Sequence, residues 1–237
     1  MNLAKELIKE VKSHPKSIII IGDIITDNWV HGHIAPCQDG CLKFVQESTC
    51  ITPGGAANAK RCLTGWSNVT VFLFGHEPDD CPVKCRYVEN GQIVFRADDD
   101  GPETCGNKYS NLRKLALQMI RDTAAGVLLS DYNKGFLSPE FICQVAKLCL
   151  IKGIPCVADV KRAPEVYVRC TIKSNEDWYL KHGTASIVTR GAEPPLVGGS
   201  PLDLYFPHIK CINHVGAGDC FAAHLVLGLT YELPFED

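Results

Sequence analysis

Residues 17–23 read Ser-Ile-Ile-Ile-Ile-Gly-Asp, and this stretch decides the fold. Four consecutive isoleucines favour a strand, and an apolar run without alternation is typical of a strand buried on both faces of a parallel sheet. Gly22 and Asp23 end the run. Four further apolar runs also end at small or polar residues: 69–74, 126–129, 154–158 and 185–188.

Helical patterns separate several of these runs, at residues 56–63, 107–123 and 139–152. Strands that alternate with helices predict an α/β fold with a doubly wound, mostly parallel sheet. Ligands of such sheets bind at the carboxyl ends of the strands. Five polar residues follow those ends: Asp23, Asp27, Asp131, Asp159 and Arg190. We therefore expect a functional site at that edge of the sheet.

In two segments, 41–51 and 83–97, polar and apolar residues alternate, and no helical period is present. The second segment contains the hairpin turn signal Glu89-Asn90-Gly91. They predict a small antiparallel β lid at about residues 34–52 and 83–98, emerging from one domain that spans residues 1–237. Because an exposed strand edge pairs readily with a second copy, we also expect a homodimer through this lid.

The composition excludes several classes of protein. Of 237 residues, 46% are hydrophobic and 22% are charged, which is globular rather than disordered. A net charge of −3 gives no electrostatic basis for nucleic acid or an anionic membrane as partner. No apolar run approaches the ~20 residues of a membrane helix. Thirteen scattered cysteines without a signal peptide predict reduced thiols in a cytoplasmic protein.

The strongest local motif is Asn213-His214-Val215-Gly216-Ala217-Gly218-Asp219, which precedes the apolar stretch 220–229. Small residues before a helix leave backbone N–H groups uncovered, and these groups together with the helix dipole bind anions. Asp219 in the first turn would take a proton from an attacking hydroxyl while the N–H groups stabilise a transferring phosphoryl group. The alternative is a plain loop-to-helix junction with an aspartate in a favourable first-turn position.

Two further motifs precede it in the chain. In residues 53–58, Pro-Gly-Gly-Ala-Ala-Asn, the glycines allow close backbone approach to a ligand, and Asn58 can offer its amide to a sugar hydroxyl. Asp23 and Asp27 at a strand end suit hydrogen bonds to neighbouring sugar hydroxyls. Taken alone, each motif is equally a tight or solvated turn.

In this order, the three motifs resemble the ribokinase-like (PfkB) family of sugar kinases, most closely the heptose 7-phosphate kinase domain of ADP-heptose synthesis. Residues 130–135, Ser-Asp-Tyr-Asn-Lys-Gly, are similar to that subgroup's S-D-Y-x-K-G, and residues 158–161, Ala-Asp-Val-Lys, are similar to its D-P-K. The second lid segment ends in Arg96-Ala97-Asp98, similar to R-x-D. The resemblance spans residues 18–229.

The resemblance implies transfer of a phosphoryl group from ATP, with Mg²⁺, to a sugar hydroxyl, which in this subgroup is the anomeric hydroxyl of a heptose phosphate. It implies Asp219 as the base and Gly216, Ala217 and Gly218 as the anion hole. The substrate-binding residues would be Asp23, Asp27, Gly54, Gly55, Asn58, Arg96, Asp131 and Lys134, with Arg86 as a further cation near the sugar's own phosphate. The nucleotide-binding residues would be Lys161, Asn175, Glu176, Arg190 and Gly191.

Departures from the family pattern keep alternatives open. Asn213-His214 replaces Asp-Thr, and residues 175–178, Asn-Glu-Asp-Trp, lack the fourth-position glutamate of N-x-x-E. We also expect a C-terminus shorter than in relatives, and so a reduced wall around the adenine. The alternatives are a kinase for another sugar or a nucleoside, and a degenerate kinase fold that binds sugar phosphate or a partner without turnover. A dinucleotide-binding oxidoreductase is disfavoured because no G-x-G-x-x-G follows the first strand.

The cysteines suggest one feature that is independent of the family. Cys37 and Cys41, and Cys81 and Cys85, each precede a lid strand with C-x₃-C spacing. Four thiolates brought together there would suit a structural zinc ion; the alternative is ordinary free thiols.

Overall fold

The computed structural model describes residues 3–37, 40–101, 106–203 and 214–232. In chain order the strands are β1 (Lys16–Gly22), β2 (Ile24–Ala35), β3 (Lys43–Gly55), β4 (Val69–Phe74), β5 (Val83–Glu89), β6 (Gln92–Asp99), β7 (Ala124–Ser130), β8 (Cys156–Asp159), β9 (Thr171–Asn175), β10 (Ile187–Arg190), β11 (Glu193–Val197) and β12 (Ser200–Pro201). The helices are α1 (Leu3–Ser13), α2 (Ala56–Leu63), α3 (Ser110–Asp122), α4 (Pro139–Lys152), α5 (Glu176–His182) and α6 (Ala217–Thr230).

Eight strands form the central sheet in the order β12-β11-β10-β9-β8-β7-β1-β4. Every pairing from β4 to β10 is parallel, and the antiparallel pairings β10–β11 and β11–β12 complete one edge. Since the carboxyl ends of the parallel strands lie along one edge of the sheet, the loops that follow them converge there.

Strand β1 explains why both faces of this sheet are covered. Ile18 and Ile20 pack into one apolar cluster with α1, α2 and α6, whereas Ile19 and Ile21 pack into a second with α3, α4 and α5. All four side chains are fully buried. The run of isoleucines therefore specifies a central strand between two helical layers, and the predicted doubly wound α/β fold is confirmed.

A second sheet, which we call the lid, has the strand order β3-β2-β5-β6. Its pairings β2–β3 and β5–β6 are antiparallel, and β2–β5 is parallel. Asn90 and Gly91 form the predicted turn between β5 and β6, with φ of 51° and 79°. The Ala56 N–H donates to the Asp23 carbonyl at 3.0 Å. This bond joins the residue before β2 to the residue after β3, where both strands adjoin the body of the protein.

The helices predicted at 56–63 and 139–152 have those bounds, and α3 begins three residues later than the predicted 107. The predictions contained neither α5 nor the antiparallel edge β11–β12. Within the described part of the chain, no helix has both the length and the apolar character needed to cross a membrane.

Candidate active site

Asp219 lies in the first turn of α6, at the edge of the sheet to which the parallel strands point, and the residue is only 4% exposed. Its two carboxylate oxygens have different partners. The Asn58 amide of α2 donates to Oδ2 at 2.9 Å, and the Tyr132 hydroxyl donates to Oδ1 at 2.6 Å. Three separate segments of the chain thus fix one carboxylate in a defined orientation.

The turn before Asp219 depends on a residue without a side chain. Gly216 has φ of 83°, which lies in the left-handed region, and a Cβ atom there would stand 2.5 Å from the Asn58 amide nitrogen. Gly216 therefore allows both the turn and the close approach of Asn58. The N–H groups of Gly218 and Asp219 belong to the first turn of α6, where the helix itself provides no acceptor four residues back. This geometry suits an anion.

The charge balance around Asp219 involves two neighbouring strands. Burial raises the pKa of Asp219, while the hydrogen bonds from Tyr132 and Asn58 lower it. Asp159 at the end of β8 raises this pKa further, and Lys173 of β9 lowers it. The Lys173 ammonium lies 3.1 Å from both oxygens of Asp159, so it pairs with Asp159 and acts on Asp219 as a nearby positive charge.

Asp23 holds the loop that carries Tyr132. The residue is fully buried, and its carboxylate accepts hydrogen bonds from the backbone N–H groups of Tyr132, Lys134 and Phe136 at 2.8, 3.0 and 3.1 Å. These three donors occupy the side chain that the motif assigned to sugar binding. The structure therefore shows Asp23 as the anchor of residues 132–136.

Asp131 also contacts protein groups. One oxygen accepts from the Tyr167 hydroxyl at 2.7 Å and from Arg162 at 2.6 Å, and the other accepts from the Asn133 N–H at 2.8 Å. Burial raises the pKa of Asp131, and the Arg162 guanidinium opposes that change. With Asp23, this residue fixes the backbone on either side of Tyr132.

Asp27 of β2 forms a buried ion pair with Arg86 of β5, and the Arg86 guanidinium lies 5.0 Å from the centroid of the Trp29 ring. A Cβ atom at Gly54 would stand 2.6 Å from Asp27 Oδ2. Gly54 therefore makes room for this carboxylate at the base of the lid, whereas a Cβ atom at Gly55 would meet the Asp23 carbonyl at 2.4 Å.

Two lysines lie against the ring of Tyr132. The Lys84 ammonium of β5 is 5.0 Å from the ring centroid, and the Lys161 ammonium, after β8, is 5.4 Å from it. Burial lowers the pKa of Lys84, although Asp27 and Asp98 oppose that change. Within the described residues, neither lysine has a carboxylate oxygen at ion-pair distance, whereas Lys134 pairs with Asp100 and the exposed Arg96 pairs with Asp98.

These features occur in a known architecture. No protein-family model matches the chain. The structure of phosphofructokinase-2 from Escherichia coli aligns with 93% of this chain and 89% of its own, with a TM-score of 0.63 and 14% identity. Ribokinase from Arabidopsis thaliana, solved with ribose and ATP, aligns with 92% of this chain and 86% of its own, with a TM-score of 0.60 and 16% identity.

The fold is ribokinase-like. Among curated proteins, the bifunctional protein HldE of Hyphomonas neptunium is 26% identical over 176 residues, which is 62% of this chain and 36% of that protein. The chain thus spans just over a third of the length of this relative. The predicted resemblance to ribokinase-like sugar kinases is confirmed.

On the ribokinase-like fold, the residues expected near the nucleotide follow β8, β9 and β10. The Asn175 side chain caps α5 by accepting from the Trp178 N–H at 3.0 Å, and the exposed Glu176 begins that helix. Arg190 donates to the Pro194 carbonyl at 3.0 and 2.6 Å, and Gly191 lies in the following turn with φ of 60°. Their nucleotide-binding role stays a prediction.

The four cysteines proposed for zinc do not form a ligand set in the structure. Cys37 and Cys41 are neighbours, with their sulfur atoms 3.2 Å apart, while the Cys81 thiol donates to the Glu77 carbonyl at 3.3 Å. Over the ranges that the structure describes, no three His, Cys, Asp or Glu side chains come together as a metal site. Of the departures from the family motif, Asn213 lies outside the described residues.

Sequence reasoning missed three residues of the site. Tyr132 lies inside the motif of residues 130–135 but received no role, although its position two residues after the end of β7 was a usable signal. Lys84 lies within the predicted lid segment, where alternation places it on the same face as Arg86. No motif contains Lys173, and only the register of β9 brings it beside Asp159.

Proposed function

We propose that the chain is a carbohydrate kinase that transfers the γ-phosphoryl group of ATP to a hydroxyl of a sugar phosphate. The observation that carries the proposal is the buried carboxylate of Asp219 in the first turn of α6, where Asn58 and Tyr132 fix its orientation. A base next to an anion site is the arrangement that phosphoryl transfer to an alcohol requires.

The reaction follows from these positions. The acceptor oxygen attacks the γ-phosphorus, the bond to the β–γ bridging oxygen breaks, and the acceptor proton passes to Asp219. The products are ADP and the phosphorylated sugar. The N–H groups of Gly218 and Asp219, with Gly216 and Ala217 shaping the turn, stabilise the phosphoryl oxygens as negative charge shifts onto them.

The nucleotide would lie across the ends of β8, β9 and β10, towards Lys161, Asn175, Glu176, Arg190 and Gly191. Lys161 lies near Tyr132 and is suited to a phosphate oxygen. Mg²⁺ usually binds through one or two carboxylates and the nucleotide phosphates, so Glu176 at the exposed start of α5 fits that role. Bound Mg²⁺ would neutralise phosphate charge.

The acceptor would lie between the lid and Asp219, near Asp27, Gly54, Gly55 and Asn58. A phosphorylated acceptor is supported by Lys84 and Arg86, which lie on the lid strand next to Asp27, with Lys134 and Arg96 further out. Charge-assisted donors of this kind are what a phosphate group needs. With the motif resemblance, they support heptose 7-phosphate as acceptor and its anomeric hydroxyl as the reacting group.

The lid also supports a homodimer. β6 is an edge strand of the lid, and Ile93, Val94 and Phe95 are each at least 41% exposed on it. Pairing with a second copy would cover them. Sedimentation at micromolar concentration should then show a dimer, and a monomer would contradict this part of the proposal.

One observation favours a binding protein without turnover. The Asn175 side chain, which was expected to contact the nucleotide, instead accepts a hydrogen bond from the Trp178 N–H and caps α5. Measuring ADP formation over a panel of sugars and sugar phosphates separates the two functions. A kinase should turn over one acceptor, and Asp219→Asn should reduce turnover by about 10²-fold or more. Asp122→Asn, at the exposed end of α3, is the matched control and should leave turnover unchanged. Thermal stabilisation by heptose 7-phosphate without any turnover would instead support the binding protein.

A further inference from the structure

The loop between β7 and α4 is organised around two buried acidic side chains. Asp23 accepts three backbone N–H groups of residues 132–136, and Asp131 accepts the N–H of Asn133, which has φ of 57°. Buried acids that hold a backbone at several points fix it strongly, because removing them would leave the N–H groups unpaired. The result is a rigid support for Tyr132, whose hydroxyl points at Asp219.

The Tyr132 hydroxyl can act only as a donor towards Asp219. Burial and the nearby Asp219 and Asp159 carboxylates raise the pKa of Tyr132 well above its usual value, so the phenol keeps its proton. Its 2.6 Å bond to Oδ1 has the length of a charge-assisted O–H···O⁻ bond. Such a bond stabilises the ionised carboxylate and fixes its rotation, while each oxygen keeps a second lone pair for an incoming hydroxyl.

From this geometry we propose that Tyr132 is a positioning residue for Asp219, keeping the carboxylate ionised and aimed at the acceptor hydroxyl. The inference rests on the proposed function, since it assigns Tyr132 a part in the same proton transfer. The lid is connected to this pair, because Lys84 of β5 lies over the Tyr132 ring.

The variant Tyr132→Phe isolates the hydroxyl. The ring that Lys84 and Lys161 contact is retained, and only the donor to Asp219 is lost. The other groups that face Asp219 are unchanged; they are Asn58 and Cys62 of α2, Asp159 of β8 and Lys173 of β9. The matched control is Tyr109→Phe, which removes a 2.7 Å hydroxyl bond to a different acid, Asp80, and keeps the ring that packs against Phe136.

The first readout is the acidic limb of the pH profile of kcat/KM, which reports the base in the free enzyme. Losing a donor to the charged form should move the midpoint of this limb about one pH unit higher in Tyr132→Phe. Tyr109→Phe should leave it in place. A merely structural role would lower activity equally at all pH values without moving the midpoint, and that result would overturn the proposal.

The second readout needs no turnover. The carboxyl carbon of Asp219 can be titrated by ¹³C NMR, with Asp219→Asn identifying its signal. The midpoint should rise by about one unit in Tyr132→Phe and fall when 3-fluorotyrosine, a stronger donor, replaces tyrosine in the wild-type chain. Unmoved midpoints would overturn the role of Tyr132 even if Tyr132→Phe were inactive or unstable. A chain that shows these shifts but phosphorylates no acceptor would instead contradict the proposed function.

Discussion

Replacing Gly216 by alanine tests how the turn before α6 positions Asp219, the proposed base. The new Cβ would lie 2.5 Å from the Asn58 amide nitrogen, at a residue with φ of 83°. An L-residue in this left-handed conformation costs roughly 1–2 kcal/mol. Displacing Asn58 also weakens a hydrogen bond to a charged group, a kind of bond that contributes about 1.5–3 kcal/mol.

The two effects together should lower the free energy of unfolding by about 2.5–5 kcal/mol. For a chain of this length that corresponds to a fall in Tm of about 5–20 °C. Turnover should also fall, since Asn58 then no longer holds Asp219 Oδ2. Urea denaturation and ADP formation measure the two losses separately.

Gly228→Ala is the matched control for this substitution. Gly228 lies inside the same helix, and a Cβ atom there would meet nothing within 4 Å. Alanine at a helix interior is favoured over glycine by about 1 kcal/mol, so this variant should be at least as stable as the wild type and as active. If Gly216→Ala were as stable and active as Gly228→Ala, the turn would not position Asp219 as described.

Four further predictions concern individual side chains. Asp23→Asn should lower the free energy of unfolding in urea by about 3 kcal/mol, because the new amide faces backbone donors; a loss under about 1 kcal/mol would contradict its anchoring role. Lys84→Met should raise KM for a phosphorylated acceptor at least tenfold and leave KM for ATP unchanged, and an equal change in both would argue against a phosphate subsite on the lid. Burial holds the pKa of Asp219 in the folded chain above its value in the unfolded chain, so the folded state loses stability as the pH rises from the lower pKa to the higher one. Asp219→Asn should therefore have a higher Tm than wild type at pH 7, and this gain in Tm should vanish near pH 3. Burial raises the pKa of Cys62 to about 11, so mass spectrometry should show iodoacetamide alkylating the exposed Cys143 well before Cys62 at pH 8, and equal rates would contradict this.

The fold was predictable because its signals are local and repeated. Four buried isoleucines could only be a central strand, and helices 56–63 and 139–152 showed their period and their ends in the sequence. The edge strands β11 and β12 were not predictable, since three prolines and two glycines in residues 193–201 mask any strand pattern. α5 has only seven residues, too few for a helical period to show.

The sequence motifs predicted residues of the site, but they did not predict which groups those side chains contact. The motif placed Asp219 at a helix start, and the structure has it there. The motif also grouped Asp23 with Asp27, whereas the structure turns Asp23 inwards to three backbone donors and leaves Asp27 at the lid. That difference depends on the path of residues 132–136, more than 100 positions along the chain, and no local pattern encodes it.

The most direct test of the central claim is ³¹P NMR of one reaction that contains the protein, ATP, Mg²⁺ and heptose 7-phosphate. We predict a second sugar-phosphate resonance coupled to the anomeric proton, growing in step with ADP, and its loss in Asp219→Asn. Release of inorganic phosphate alone, or the same product at the same rate from Asp219→Asn, would contradict the account of Asp219 as the base of a sugar kinase.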